Sequence, residues 1–180
     1  EMGVPSADDL EHIPFGLITV DGKKLSTRSG RIILLAKVLD DSVKLAAEEI
    51  NEKNPDLANK DEVAQQVGVG AIVFGDLKNE RTNNIDFVLA DQLKFEGETG
   101  PYVQYSHARA ESILRKAGKV TITTDGNQIS DPEAWDTIKT LADFPAMVKM
   151  ACDEFEPSVI AKYAIRLAKT FNKYYVHSKI

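Results

Sequence analysis

The chain has 180 residues, 43% of them hydrophobic and 28% charged, and carries a formal net charge of −6. That length allows one large domain or two small ones with a real core, and no apolar run reaches the roughly 20 residues that a membrane-crossing helix needs. No basic segment leads into an apolar one at the N-terminus, which excludes a visible secretory signal. Cys152 is the single cysteine, so there is neither an internal disulfide nor a thiolate metal cluster, and a reducing cytoplasm is the simplest setting. His12, His107 and His177 lie far apart and show no metal-ligand spacing, so no metal site is expected.

The first predicted element is a hairpin. Phe15 to Val20 runs into Asp21-Gly22, a dipeptide suited to a type I′ turn, and Lys23 to Thr27 runs away from it. Lys23, Lys24, Arg28 and Arg31, with the hydroxyls of Ser26, Thr27 and Ser29, then crowd into one stretch of an otherwise acidic chain. Cations, hydroxyls and backbone N–H groups together suit phosphate; the same residues also suit a solvated turn.

A helix is predicted from Ile32 to Lys53, with Ile32, Leu35, Leu39, Val43, Ala46 and Ile50 on one side and Asn54-Pro55 as its stop. Asp61 is expected to cap a second helix whose inner side holds Ala64 and Val67. Gly68 and Gly70 interrupt it, which means either a very close neighbour or a bend. Gly75 to Asn84 reads as a surface connection or, through Lys78, Asn79 and Arg81, as a contact for a nucleic-acid backbone. Ile85 to Phe87 reads as a short extended piece.

Thr99-Gly100-Pro101 marks a helix start and Gly118 its end, giving a helix over Tyr102 to Ala117. Val103, Ser106, Ala110, Ile113 and Ala117 form its expected core side. Tyr102, Tyr105, Arg109, Ser112 and Lys116 form a second stripe in which rings alternate with cations. Such a stripe can stack unpaired bases and hold phosphates, or it can pack on a neighbouring helix. Lys119 to Ser130 reads as a loop. Asp131 caps the next helix, with Trp135, Ile138, Leu141 and Ala142 assigned to the core, and Asp143-Phe144-Pro145 breaks it. Ala146 to Phe155 follows, with Cys152 read as a small buried apolar residue. Glu156-Pro157-Ser158 opens the last helix, Val159 to His177. Ile160, Tyr163, Leu167, Phe171 and Tyr174 line one side of it, and Lys162, Arg166, Lys169 and Lys173 line the other, as a solvated face or a phosphate-binding one. Both ends read as cut: Glu1 precedes Met2, and Ile180 follows closely on Phe171, Tyr174, Tyr175 and Val176, so a piece of a longer protein is expected.

Periodicity alone stops at a mainly α protein with a short hairpin at its start. Four segments in order then resemble one family, the arginyl-tRNA synthetases. His12 to Gly16 with Lys23 to Gly30 is similar to the nucleotide-binding end of those enzymes. Gly75 to Asn83 is similar to their connecting helical region, and Phe95 to Arg109 to the entry of their anticodon-binding domain. Glu156 to Ala161 with Phe171 to Tyr175 resembles a later helix of that domain.

The resemblance implies a helical bundle of the class I anticodon-binding type, preceded by a β-hairpin remnant of the nucleotide-binding α/β domain. It divides the chain into the end of the catalytic domain with its signature loop (1–31), a helical connecting region (32–95) and an anticodon-binding helical domain, cut short (96–180). The implied activity is that of a ligase. Arginine and ATP give arginyl-adenylate and pyrophosphate, and the arginyl group then moves to the terminal ribose of tRNA(Arg); the family needs tRNA for the first step.

Lys24, Ser26, Thr27 and Arg28 are implied as catalytic, in the place of the class I signature Lys-Met-Ser-Lys-Ser, where they would stabilise charge on the ATP phosphates. Lys24 and Ser26 match that signature, while Thr27 stands at its second lysine and Arg28 at its last serine. His12, Phe15, Gly16 and Lys23 are implied as nucleotide-binding. Tyr102, Tyr105, Arg109, Lys116, Lys78, Arg81, Lys162, Arg166 and Lys169 are implied as tRNA-binding. ATP with Mg2+ enters as substrate, with no tightly bound cofactor, no metal of the protein's own and no membrane partner, in a cytoplasmic monomer. The other class I signature, His-Ile-Gly-His, is absent, so the chain alone is expected to be inactive. A stand-alone, non-catalytic RNA-binding helical module and a plain helical scaffold are the competing readings; a relative specific for another amino acid, such as cysteine, shares this type of helical domain.

Overall fold

The computed structural model of the chain describes residues 10–25, 32–119 and 129–178. The described elements are β1 (Ile18–Val20), β2 (Lys23–Lys24), α1 (Leu35–Lys53), α2 (Lys60–Leu77), β3 (Ile85–Asp86), α3 (Leu89–Gln92), α4 (Gly100–Ala117), α5 (Pro132–Ala142), α6 (Phe144–Asp153) and α7 (Ser158–His177). The fold is mainly α, as the sequence indicates.

The hairpin forms as the Asp21-Gly22 pair dictates, with φ of 53° and 68° at the two turn residues. Thr19 pairs with Lys24 and Val20 with Lys23. The hairpin is not isolated. β3 adds to it in parallel, Ile18 opposite Ile85 and Thr19 opposite Asp86, giving the order β2-β1-β3. Asp86 fastens the arrangement: its carboxylate accepts the Gly22 N–H at 2.9 Å and the Thr19 hydroxyl at 2.8 Å. These donors hold its pKa below the ordinary 3.8. One side of the sheet, with α1 and α2, borders an apolar hollow of about 530 Å³ lined by Ile18, Val20, Leu25, Leu39, Val69 and Ile72.

α1 and α2 pack as an antiparallel pair through small residues, with Ser42 and Ala46 facing Ala64, Gly68 and Ala71. Of the two explanations for the interrupting glycines, the close neighbour is the one realised. A Cβ at Gly68 would stand 2.7 Å from the Val43 backbone, and α2 runs unbroken through both glycines. α4 starts against the same helix, Gly100 near the Gly70 carbonyl. α7 then gathers α4, α5 and α6 around Ala161, Tyr163, Ile165 and Ala168. Phe144 lies against Tyr163 with ring centroids 5.4 Å apart.

Several expectations need correction. α1 begins at Leu35, not Ile32: Ile32 and Ile33 lie outside the helix, and Leu34 precedes it in an extended conformation. Asp61 lies in the first turn of α2 and does not cap it. Trp135, Leu141 and Ala142 face outward: α5 turns Ala134 and Thr140 inward, and the Trp135 indole, 43% exposed, donates to the Ile129 carbonyl at 2.7 Å. Cys152 is exposed, since α6 buries none of its residues fully despite its apolar composition.

Candidate nucleic-acid interface and phosphate hairpin

α4 is fixed at both ends by its own sequence. The Thr99 hydroxyl accepts the Tyr102 N–H at 3.2 Å and donates to the Lys94 carbonyl at 2.5 Å, Pro101 occupies the first turn, and Gly118 leaves the helix at φ 66°. This orientation sets the ring-and-cation stripe beside the C-terminal turns of α7. There the two helices border an open groove of about 570 Å³ lined by Tyr105, Arg109, Ser112, Ile113, Lys116 and Tyr175, among others.

Arg109 is the centre of the groove. Its guanidinium lies 4.6 Å from the centroid of the Tyr105 ring and 4.5 Å from that of Tyr175. Cation–π contacts of this kind are worth roughly 0.5–1 kcal/mol each when exposed and about 2 when desolvated. Nη2 also donates to the Tyr105 hydroxyl at 2.6 Å, and Nη1 donates to the Asn172 side-chain carbonyl. The Asn172 amide donates in turn to the Tyr102 hydroxyl at 3.1 Å and to Ser106 Oγ at 2.6 Å. The tyrosines of the stripe thus divide. Tyr102 is half-buried on the α4–α7 seam, whereas Tyr105 is 48% exposed at the groove. Tyr175 and Asn172 were not among the expected site residues. Their signal was the Phe171 to Tyr175 segment itself, in which the helical pattern assigns Phe171 and Tyr174 to the apolar side and leaves Asn172 and Tyr175 unassigned.

The basic stripe of α7 is engaged within the chain. Lys162 pairs with Glu80 at 2.6 Å, Arg166 with Asp143 at 2.8 Å, Lys169 with Glu98 at 2.7 Å and Lys173 with Glu133 at 3.6 Å. The lysine partners hold the Glu80 and Glu98 pKa values below the usual 4.5. Lys78 donates to the Glu98 carbonyl at 2.8 Å. Arg81 is only 26% exposed in its side chain and directs its guanidinium at backbone carbonyls: Pro14 at 2.9 Å, Phe155 at 3.1 Å and Glu154 at 3.3 Å. Asn79 donates to the Gly75 carbonyl at the end of α2.

At the other end of the fold, Lys23 and Lys24 stand exposed on β2, and His12 and Phe15 are exposed, Phe15 to 82%. Gly16 is held on the loop after α2. Its N–H donates to the Arg81 carbonyl at 2.6 Å, and a Cβ there would fall 2.0 Å from the Asn83 carbonyl oxygen. The expected catalytic residues Ser26, Thr27 and Arg28 lie outside the described residues. Among the described residues no cluster of acidic, His or Cys side chains is arranged to hold a metal ion.

Comparison with known proteins agrees with both ends of this layout. Residues 1–89 match the family described as "tRNA synthetases class I (R), catalytic domain", and residues 103–180 match the "DALR anticodon binding domain". Over its whole length the chain is 99% identical to the arginine–tRNA ligase of Levilactobacillus brevis and 68% identical to that of Ligilactobacillus salivarius. It spans 32% of the length of each. The solved Thermus thermophilus arginyl-tRNA synthetase superposes with a TM-score of 0.84 at 38% identity, covering 93% of this chain and 28% of that one. A Plasmodium falciparum arginyl-tRNA synthetase, at 20% identity and a TM-score of 0.77, shares the fold. With both domain types matched in order and the whole chain aligned to these ligases, the chain belongs to the arginyl-tRNA synthetase family.

Proposed function

We propose that the chain works as a portion of an arginine–tRNA ligase, gripping its tRNA at one end and ATP phosphates at the other. The observation that carries this reading is the exposed α4–α7 groove, where Tyr105, Arg109, Lys116 and Tyr175 converge within the segment matched to an anticodon-binding domain. A ring offers a stacking platform to an unpaired base, and a neighbouring cation meets the phosphate beside it. Tyr102 supports the same surface from the seam. The proposed contact set leaves out Lys78, Arg81, Lys162, Arg166 and Lys169, whose cationic groups are engaged within the chain.

At the hairpin, the reading gives Lys23 and Lys24, with Ser26, Thr27 and Arg28 beyond them, to the phosphates of Mg2+-bound ATP. Attack of the arginine carboxylate on the α-phosphorus releases pyrophosphate, whose growing charge these cations would offset. His12, Phe15 and Gly16 would border the nucleotide. The division at 1–31, 32–95 and 96–180 is kept as part of this proposal, as are tRNA(Arg) as partner, a cytoplasmic setting and a monomeric state. Among the described residues no helix is long and apolar enough to cross a membrane. A stand-alone RNA-binding module is the weaker alternative, because residues 1–89 match a catalytic domain.

The test is tRNA binding. Tyr105→Ala is expected to weaken tRNA affinity by roughly 1–3 kcal/mol, the range for losing one stacked base, with the circular dichroism spectrum unchanged. Unaltered affinity in a folded variant would return Tyr105 to a packing role. The chain on its own is expected to give no arginine-dependent pyrophosphate exchange, since it lacks His-Ile-Gly-His; measurable exchange would overturn that part.

A further inference from the structure

We propose that Arg81 is a positioning residue that links the tRNA-gripping helices mechanically to the phosphate hairpin; the inference rests on the function proposed above. Arg81 follows α2, lies outside the α4–α7 groove and meets the proposed nucleotide site only through its backbone, at Gly16. Its guanidinium instead joins two segments distant in sequence. Nη1 holds the Pro14 carbonyl, on the approach to β1, while Nε and Nη2 hold the Phe155 and Glu154 carbonyls, in the turn between α6 and α7. The backbone of the same residue repeats the pattern. Its carbonyl accepts the Gly16 N–H, and its N–H donates to the Glu156 carboxylate at 3.3 Å.

Both halves of this joint lack slack. On the hairpin side, Gly16 sits so close to the Asn83 carbonyl that not even a methyl group fits, and the Leu17 N–H is bound by the Asn84 side chain at 2.8 Å. On the helix side, Phe155 holds a left-handed φ of 50°, a conformation a bulky residue keeps only when its surroundings impose it. Two Arg81 bonds end on the carbonyls of Glu154 and Phe155. Glu156, 3.9 Å from Nε, balances the guanidinium charge and also accepts the N–H of Ser158, the first residue of α7. α7 then runs 20 residues, about 30 Å in all, and carries Asn172 and Tyr175 at the groove in its last two turns. A shift of α7 caused by a ligand in the groove therefore reaches the start of β1 through Arg81, whose planar fork reinforces the link its backbone makes. Lysine cannot replace that fork, because an ammonium is a point charge without the fixed, divergent donors of a guanidinium.

The experiment uses the full-length enzyme and tRNA(Arg). Hydrogen exchange of the Ile18–Lys24 amides is followed with and without tRNA, and the tRNA Kd is measured directly, for the unaltered enzyme, Arg81→Lys and Glu156→Gln. In the unaltered enzyme, tRNA is expected to slow hairpin exchange by about threefold or more, the low end of couplings carried through packed networks. Arg81→Lys is expected to abolish that slowing and Glu156→Gln to reduce it, with tRNA Kd within about twofold of the original in both. The proposal falls if tRNA leaves the hairpin unaffected in the unaltered enzyme, or if Arg81→Lys retains the slowing. It also falls if Arg81→Lys loses tRNA affinity outright, which would make Arg81 a direct contact, or if neither variant folds, which would make it a folding residue. Failure of the underlying function would show separately, as an unchanged tRNA Kd in Tyr105→Ala.

Discussion

Asp86 shows how one carboxylate can fix the conformation of a short hairpin. It gathers the Gly22 N–H and the Thr19 hydroxyl, and so ties the tip and one edge of the hairpin to β3. The side chain is solvent-accessible, so the consequence is one of pH rather than of large stability. Its pKa is lowered in the fold, first by the Gly22 N–H and then by the Thr19 hydroxyl. A carboxylate lowered in this way stabilises the folded arrangement fully above its unfolded value, and the contribution fades as pH falls through the folded one. The hairpin tip is therefore expected to loosen only below about pH 3.8. The Gly22 amide resonance, followed through an acid titration, should shift in that window, and Asp86→Asn should remove the step while keeping an acceptor in place.

Among the elements, the α1–α2 pair depends on one absent side chain. Gly68 faces the backbone of Val43, not a movable side chain, so an added methyl group must push two helices apart. Gly68→Ala is expected to destabilise the fold by about 1–3 kcal/mol, the usual cost of overpacking, although alanine is the better helix former by about 1 kcal/mol. Urea unfolding would measure the sign, which decides whether close approach or helix propensity dominates. Gly75 is the natural control. A Cβ there meets the end of the Gln92 side chain, which can swing away, so Gly75→Ala should cost less.

For the molecule as a whole, the arrangement of charge decides how much of the proposed tRNA binding would be electrostatic. The α7 stripe would add phosphate contacts only by leaving acids it already holds, and exposed pairs of this kind are worth about 0–1 kcal/mol each. With the stripe on its acids, replacing Lys162 and Lys169 by Gln should leave the slope of log K against log salt nearly unchanged. Replacing Arg109 and Lys116 should flatten it by about one unit per lost phosphate contact.

The sequence made the hairpin and both ends of α4 legible because Asp21-Gly22, Thr99-Gly100-Pro101 and Gly118 act on their own immediate backbone. It did not reveal the stripe's partners, which lie 82, 71 and 23 positions away for Lys162, Lys169 and Arg166. Periodicity describes which face of a helix is charged, and only the tertiary fold says what stands opposite. The same limit applies to Arg81, an apparent surface cation until Pro14 and Phe155 are brought to it, and to Cys152, whose apolar neighbours α6 leaves uncovered.

Neighbouring positions in a strand look out on opposite half-spaces, and the short β2 contains nothing but two lysines. By register, Lys23 shares a side with Val20, which borders the apolar hollow, while Lys24 shares a side with Thr19, which reaches Asp86. The doublet is therefore no reserve of interchangeable charge: its two side chains leave the strand on opposite sides, and a one-residue insertion in the turn would exchange which lysine stands on which side.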